Sequence, residues 1–344
     1  MSHLPLLRAA SAAILLTAAG GARAAPVEDF YKGKTLTILV GFSTGNGADS
    51  YARLLSRFMS KHVPGAPTIV VQNMPGAGSL TMANYLFAVA PKDGSVIGVF
   101  NRNLPLEPLM GNKSVRFDPR KFSWIGSTNT EPSLCVAWHT SPVQSIADMQ
   151  AKPFTIAATS LSANSGLVPT VLNKVMGTKT KIVMGYPGSN EMSLALERQE
   201  VEGRCGWSRS SLMATKAAWV ADKKVTLLLQ AGLRKSAAMP EVPLAMDHVK
   251  GEREKALLKL AVAWDEMAWP FAAPPGAPAE RVEALRAAFA SALADPDLLA
   301  QAKKEGLDVS LVTGPDVEAL LADVYATPPD IIEEMQAIVK EPTR

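Results

Sequence analysis

The residues best suited to chemistry gather in GFSTGNGAD, positions 41–49, between the apolar run TLTILV and the helically spaced SYARLLSRFM. A strand, a glycine-containing loop and a helix leave backbone N–H groups at a helix N-terminus, where about half a positive charge resides. Anions bind there without any lysine. A phosphate-binding loop would need G-x-x-x-x-G-K-[ST], and no Lys follows these glycines. A dinucleotide fingerprint would need G-x-G-x-x-G, which the spacing of Gly41, Gly45 and Gly47 does not give. A nucleophile elbow needs G-x-S-x-G, and Gly41-Phe42-Ser43-Thr44-Gly45 fits it by letter. Ser43 would then need a later acid and His; only His139 and His248 lie well downstream, and His248 stands in the charged PLAMDHVKGEREK. The motif also falls on the first strand rather than midway through a sheet, so an exported serine hydrolase using Ser43 is a remote alternative. A plain helix start explains the same letters, with Asp49 as a local cap and the glycines serving backbone angles.

The elements that must position this loop begin after a leader. MSHLPLLRAASAAILLTAAGGARA carries Arg8, an apolar stretch from Ala9 to Ala19 and Ala22-Arg23-Ala24, the pattern of a secretory signal peptide. The apolar stretch is shorter than the roughly 20 residues of a spanning helix. Cleavage is expected after Ala24, and it removes Arg8 and Arg23 from a chain of formal charge +3, leaving +1. Nothing in that balance suggests a nucleic-acid or anionic-membrane surface. About 320 residues remain, enough at ~150 per domain for two lobes.

Strand-like and helical patterns alternate thereafter, which argues for parallel sheets with crossover helices. TLTILVG (35–41), TIVVQN (68–73) and a run ending at Phe100 read as strands, and ADSYARLLSRFMSKH (48–62) as a helix with Ala52, Leu55, Phe58 and Met59 on one face. A second unit starts near Trp124, with strands at 132–139, 153–159, 181–186, 201–207 and 224–231 and helices at 165–177 and 189–199. From Pro240 a Pro-rich connection leads to helices, the clearest being PAERVEALRAAFASALA (278–294), read as returning to cover the first lobe. Cys135 and Cys205 are the two cysteines. In an exported chain an even count favours a bridge, and two buried thiols are the other reading. They are too far apart, and too poor in His partners, for a zinc pattern.

FYKGKTLTILVGFSTGNGADSYARLL and VVQNMPGAGSLTMANYLFAVAPKDGSVIGV resemble the opening of the tripartite tricarboxylate transporter receptor proteins, the Bug (TctC-like) family of periplasmic solute-binding proteins. Tyr31-x-Gly33-Lys34, Asn73-x-Pro75-Gly76-Ala77-Gly78, Ala90-Pro91-x-Asp93-Gly94, Gly185-Tyr186-x-Gly188 and Pro240-x-Val242-Pro243 stand in the family's order, and APPGAPAERVEALRAAFASALADPDL is similar to its C-terminal helix pair. The resemblance implies an α/β, two-lobed periplasmic binding protein fold, type II-like, of the venus-flytrap kind. Each lobe is a mixed, mostly parallel sheet flanked by helices. The expected division is 1–24 signal peptide, 25–126 plus 240–344 first lobe, and 127–239 second lobe.

It further implies no enzyme, no cofactor and no metal. The receptor is a periplasmic monomer that passes a small mono-, di- or tricarboxylate to integral membrane permease subunits; a sensor presenting the carboxylate to a two-component kinase is the alternative. Two facing strand-to-helix loops would grip the ligand: Phe42, Ser43, Thr44, Gly45, Asn46, Gly47 and Asp49 in one, and Thr159, Ser160, Ser162, Asn164 and Ser165 in the other. Placement beyond the carboxyl ends of strands agrees with where open α/β sheets bind ligands. Ser43, Thr44 and Asn46 depart from the proline and paired-glycine pattern of the family's first loop, and TSLSANSG is Ser-rich where the family has early glycines. Asn101 belongs to a looser third loop. Beside it Arg102 would either pair a distal carboxylate or stand exposed. Tyr186 and Pro187 are expected at the cleft edge. Trp207 would either stack on a ligand ring or pack beneath the strand end.

Overall fold

The structure is a computed structural model and describes residues 27–161 and 163–340. The leader, its cleavage after Ala24, and Ser162 lie outside the described residues.

Helix α1 (Val27–Tyr31) leads into β1 (Thr35–Val40). Leu36, Ile38 and Val40 enter one core and Leu39 another. Burial on both faces is why TLTILV is apolar almost throughout instead of alternating. Helix α2 (Gly47–Phe58) crosses to β2 (Thr68–Asn73), and α3 (Leu80–Ala88) to β3 (Val96–Val99). Both strands run parallel to β1, one on each side. β4 (Ser123–Ser127) joins the same sheet.

A second sheet follows from β5 (Ser133–Trp138), α4 (Ile146–Ala151), β6 (Phe154–Ala157), α5 (Asn164–Met176), β7 (Thr180–Val183), α6 (Ser189–Glu197), β8 (Gly203–Ser208), α7 (Arg209–Ala221) and β9 (Val225–Ala231). Its order is β7-β6-β8-β5-β9, with β6 parallel to β7 and β8, and β5 antiparallel to β8 and β9. The carboxyl ends of β6, β7 and β8 therefore share one end of the sheet, where β5 begins at Ser133.

The expected return to the first body at residue 240 needs correction. Met239 and Val242 join a core of the second sheet, Leu244 bridges Gln230 of β9, and α8 (Glu252–Val262) packs on α5. The chain re-enters the first sheet at β10 (Pro270–Ala273), antiparallel between β3 and β4. A Pro-rich stretch announces an irregular connection, but its buried apolar side chains decide which sheet it lies on. Helices α9 (Ala279–Leu293) and α10 (Pro296–Lys304), strand β11 (Val312–Thr313) and helix α11 (Gly314–Tyr325) complete the first body, whose sheet runs β11-β4-β10-β3-β1-β2. Helix α12 (Pro329–Lys340) packs on α5 and α8.

Two segments carry the chain between the sheets side by side. Ala268 N donates to Asn129 O and Glu131 N to Asp265 O, each at 3.0 Å. Within the second sheet, β8 carries one extra residue against β5: Leu134 faces Trp207 and Val136 faces Arg204, so Cys205 and Gly206 together oppose Cys135. Gly206 takes φ +66°, a conformation open to glycine at little cost. Cys135 and Cys205 are bonded to each other there, both buried.

The bridge closes a loop of 70 residues of sequence separation. Replacing both cysteines by alanine is expected to lower the unfolding free energy by about 2–4 kcal/mol in urea titrations. The unreduced, denatured wild-type protein should give no reaction with a thiol reagent; two free thiols would remove the bridge.

Candidate functional site

The first loop is braced from inside. Asn46, not Asp49, caps α2, its Oδ1 accepting from Asp49 N at 3.1 Å while its Nδ2 donates to Ser43 O at 3.0 Å. Asp49 is buried and turned back under the loop: Oδ2 accepts from Gly45 N and from Arg53 Nε, both at 2.9 Å, and Oδ1 accepts from Asn73 Nδ2 at 2.9 Å. Burial alone would raise its pKa, but the hydrogen bonds from Arg53, Gly45 and Asn73 outweigh it and hold the carboxyl below its ordinary value. Asp49 is thus corrected from a ligand contact to a charged brace, already neutralised. Two Asx residues three positions apart look equally good as caps in sequence.

Ser43, Thr44 and Gly45 are exposed, Phe42 and Asn46 half-buried, and Gly47 buried. The backbone N–H groups of Ser43, Thr44, Asn46, Gly47 and Ala48 donate to no described residue. Gly47 must be glycine, because a Cβ there would stand 2.6 Å from the Trp269 ring. Trp269, which the sequence reading missed, meets Phe42 edge-on at 6.1 Å and donates Nε1 to Ser210 Oγ at 3.2 Å, at the start of α7. It pins the first loop to an element of the second sheet. The only sequence signal for it was a large aromatic beside a strand start.

In the second loop, Thr159 N donates to the buried Ser165 Oγ at 3.1 Å, and Ala163 N to Ser160 Oγ at 3.3 Å. Thr159 is half-buried and Ser160 exposed. Tyr186 N donates to Ala158 O at 3.2 Å and so sets Tyr186 and the exposed Pro187 beside this loop. Asn164 behaves differently. With its amide oxygen toward Arg102 it accepts from Nε and Nη2 at 3.1 Å, and its nitrogen donates to Asn103 Oδ1 at 2.6 Å. It links the two sheets instead of presenting a free amide. Asn101 is half-buried, its Oδ1 accepting from Asn103 N at 3.0 Å.

Arg102 answers to neither sequence alternative. It is 5% exposed, with Nε 2.8 Å from Asp265 Oδ1 and Nη2 donating to Ser133 Oγ at 3.1 Å. Ser133 N in turn donates to Asp265 Oδ2 at 2.9 Å. Burial pushes the Asp265 carboxyl up to about 6, outweighing the attraction of Arg102 and the Ser133 bonds. Close by, Glu131 accepts from Ser210 N at 2.9 Å and Ser210 Oγ at 2.6 Å, so the start of α7 already holds a carboxylate through a backbone N–H and a hydroxyl. No cationic side chain of the described residues lies within ion-pair distance of Glu131.

Trp207 is corrected to a core residue. Regular alternation would set it on the face of Cys205, but the bulge moves it to the face of Arg204, whose guanidinium lies 3.7 Å from the ring centroid. Trp219 meets it edge-on, and the indole is 3% exposed. Ser43 Oγ makes no hydrogen bond to a His or acid of the described residues, whereas His62 pairs with Asp295. Among the described residues no group of three or more His, Cys, Asp or Glu could hold a metal ion, and no helix is long and apolar enough to cross a membrane. A cavity of about 360 Å³ opens at the edge of this region, lined by Arg209, Leu299, Lys303 and Asp308, with Arg209 paired to Asp308 across it.

The sequence model of the tripartite tricarboxylate transporter family receptors matches residues 51–337. A UPF0065 protein of Agrobacterium vitis, from the TAR-I ttuE-ttuC' intergenic region, is 27% identical over 295 residues, 83% of this chain and 78% of its own. Among solved structures, the periplasmic binding protein BugD superposes with a TM-score of 0.70 at 20% identity, over 90% of this chain and 98% of its own. MatC from Rhodopseudomonas palustris with bound malate gives 0.65 at 20%, over 89% and 99%, and another R. palustris protein with adipate gives 0.69 at 17%, over 88% and 97%.

The Asp265 environment sets a sign. Its folded pKa, about 6, lies above that of an unfolded aspartate, about 3.9. The native state therefore holds an extra proton between those values, and this group's contribution to stability grows as pH falls. Urea unfolding of wild type and Asp265→Asn at pH 7.5 and 5 should show the difference shifting in the wild type's favour by about 1 kcal/mol. No shift would place Asp265 in a solvated setting, and one of opposite sign would mean that Arg102 and the Ser133 bonds outweigh its burial.

Proposed function

The chain belongs to the family of tripartite tricarboxylate transporter receptors, and from that premise we propose that it captures a small carboxylate between its two sheets and delivers it to membrane permease subunits. Receptors of this family work in the periplasm, and removal of residues 1–24 would release this one there as a monomer. Its lobes are the bodies built on the two sheets, exchanging chain through residues 128–132, 263–269 and 326–328.

One observation carries the reading. The first turns of α2, α5 and α6 follow the carboxyl ends of β1, β6 and β7, and the N–H groups of Gly47 and Ala48 at the start of α2 donate to no described residue. Such termini attract anions through peptide dipoles and leave hydrogen-bond donors for them. The acids nearest the region are already satisfied, Asp49 by Arg53 and Asn73, Asp265 by Arg102, and Glu131 by Ser210. They accordingly oppose an incoming anion less than bare carboxylates would. In this reading Ser43, Thr44, Gly45 and Asn46 grip a ligand carboxylate from the first lobe, with Thr159, Ser160, Ser162, Tyr186 and Pro187 closing on it from the second. Malate and adipate, held by two relatives of the same fold, are dicarboxylates. In this reading the ligand is carried unchanged.

Closure selects the lobe arrangement in which the ligand gains contacts from both sides. A panel of mono-, di- and tricarboxylates in calorimetry and thermal shift should return at least one ligand of micromolar or tighter affinity; silence across the panel would refute the proposal. Ser43→Ala combined with Thr44→Ala should weaken that ligand by about tenfold or more, the value of one or two charge-assisted hydrogen bonds, without lowering the melting temperature of the unliganded protein. Unchanged affinity would move the grip elsewhere.

A further inference from the structure

The ion pairs at the junction of the two bodies differ in their contact with water. Arg102 and Asp265 form a dry one, their side chains 6% and 4% exposed. Arg209 of α7 and Asp308 of the first body form a wet one, at 21% and 47%. The cavity of about 360 Å³ opens beside the wet pair, so salt reaches it. Exposed pairs separate into water at little cost, whereas parting a sealed pair strands two charges. A motion between the bodies therefore parts Arg209 from Asp308 before it disturbs Arg102 and Asp265.

The wet pair is also placed to control the cleft. Arg209 opens α7, and its neighbour Ser210 binds Glu131 of the crossing segment through N and Oγ. Asp308 lies between α10 and β11, where Ser310 N donates to Thr128 O at 3.0 Å and Thr130 N to Ser310 Oγ at 3.2 Å. The partners are thus held beside residues 128–131, one from each body, and the pair spans that crossing as a strut. Asp308 is tied in turn to the helix that carries the first loop, its backbone O accepting from Tyr51 Oη at 2.6 Å. Tyr51 stands 6.3 Å from the Trp269 ring, which covers Gly47. Lys259 and Asp323 also pair between the bodies, from α8 to α11, but they sit beside the crossing at 326–328, where α12 already fastens the chain to α8.

Resting on the receptor reading above, we propose that Arg209 and Asp308 form a latch between the lobes, broken when the lobes turn about the sealed Arg102–Asp265 cluster, so that its strength sets how tightly any ligand is held. Both are positioning residues that act without touching the ligand. They govern the fraction of molecules whose lobes are together, and a smaller competent fraction weakens every ligand by the same factor. Salt loosens the latch because the pair is exposed.

The test compares wild type with Arg209→Gln, Asp308→Asn and the double variant, neutral changes that leave the backbone bond to Tyr51 in place. Calorimetry with malate and adipate should show either single change weakening binding about threefold to fivefold, and the double variant weakening it no further. Direct attraction between these side chains and the ligand would act differently: losing the cation would weaken binding and losing the acid would tighten it. Opposite signs for the two single variants, additive effects in the double, or a changed ratio of malate to adipate affinity would overturn the latch. Small-angle X-ray scattering of the free protein gives a second readout. Each variant should have a larger radius of gyration than wild type at about 10 mM salt, and wild type should approach them at about 1 M, where the Debye length falls from roughly 30 Å to roughly 3 Å. One radius for all four proteins at both salts overturns the latch as well. If neither acid binds, scattering alone decides the latch, and it is the receptor reading for these two acids that fails.

Discussion

Unpaired backbone N–H groups at helix starts are the constraint on which the rest of the cleft depends. Each strand-to-helix unit leaves them by geometry, and parallel neighbours place them at the same end of a sheet. Here α2 opens at that end of the first sheet, and α5, α6 and α7 at that end of the second. Donors that cannot bond within the helix must meet a side chain, water or a ligand. At α2, Asn46 serves one of them and Asp49 turns away to bond Gly45. At α7, Glu131 serves another. The sequence spends its Asx and Glu residues selectively, so some termini are closed and others stay open.

The connection between the sheets shows the opposite solution, in which polarity is sealed from water. Arg102, Asp265, Ser133 and Asn164 join the loop after β3, the segment before β10, the start of β5 and the start of α5. A buried ion pair adds little net stability, because desolvation offsets its attraction, but removing one partner leaves a stranded charge. Such a pair therefore enforces a particular arrangement more than it strengthens the fold. Its members come from both sheets, so any relative motion of the two bodies must either carry this cluster as a pivot or break it.

Much of the architecture was legible in the sequence. Apolar runs such as TLTILV and TIVVQN gave strands, and the turn of Asn73 to Gly78 and the helical spacing after Asn46 placed the first loop. What escaped was set by contacts remote in the chain. The bulge at Cys205 and Gly206 reversed the face of Trp207, and one inserted residue leaves no periodicity signal. Trp269 lies more than 200 residues from Gly47, which it covers, and no local pattern announces that contact. Arg102 looked like a solvated loop arginine because its partner, Asp265, is supplied by a segment that itself looked like ordinary polar sequence. The return to the first sheet was set too early for a similar reason: α8 shows an apolar face but not the helix that will cover it.

Why a grip of the kind proposed above would use dipoles in preference to lysines follows from what a receptor must do. A carboxylate paired with an exposed ammonium exchanges water for a flexible, strongly hydrated partner and gains little. Sealed in a dry ion pair it would be held by a charge that is costly to strand, and release would be slow. Backbone N–H groups fixed by a helix need no reordering when the anion arrives, and their partial charges remain tolerable when it leaves. Glu131 at the start of α7 is an internal instance of that grip: two bonds from Ser210 and no cation among the described residues. An incoming carboxylate held in the same way at neighbouring helix starts would be released when the lobes part, because separation withdraws the donors of one lobe without leaving a buried charge behind.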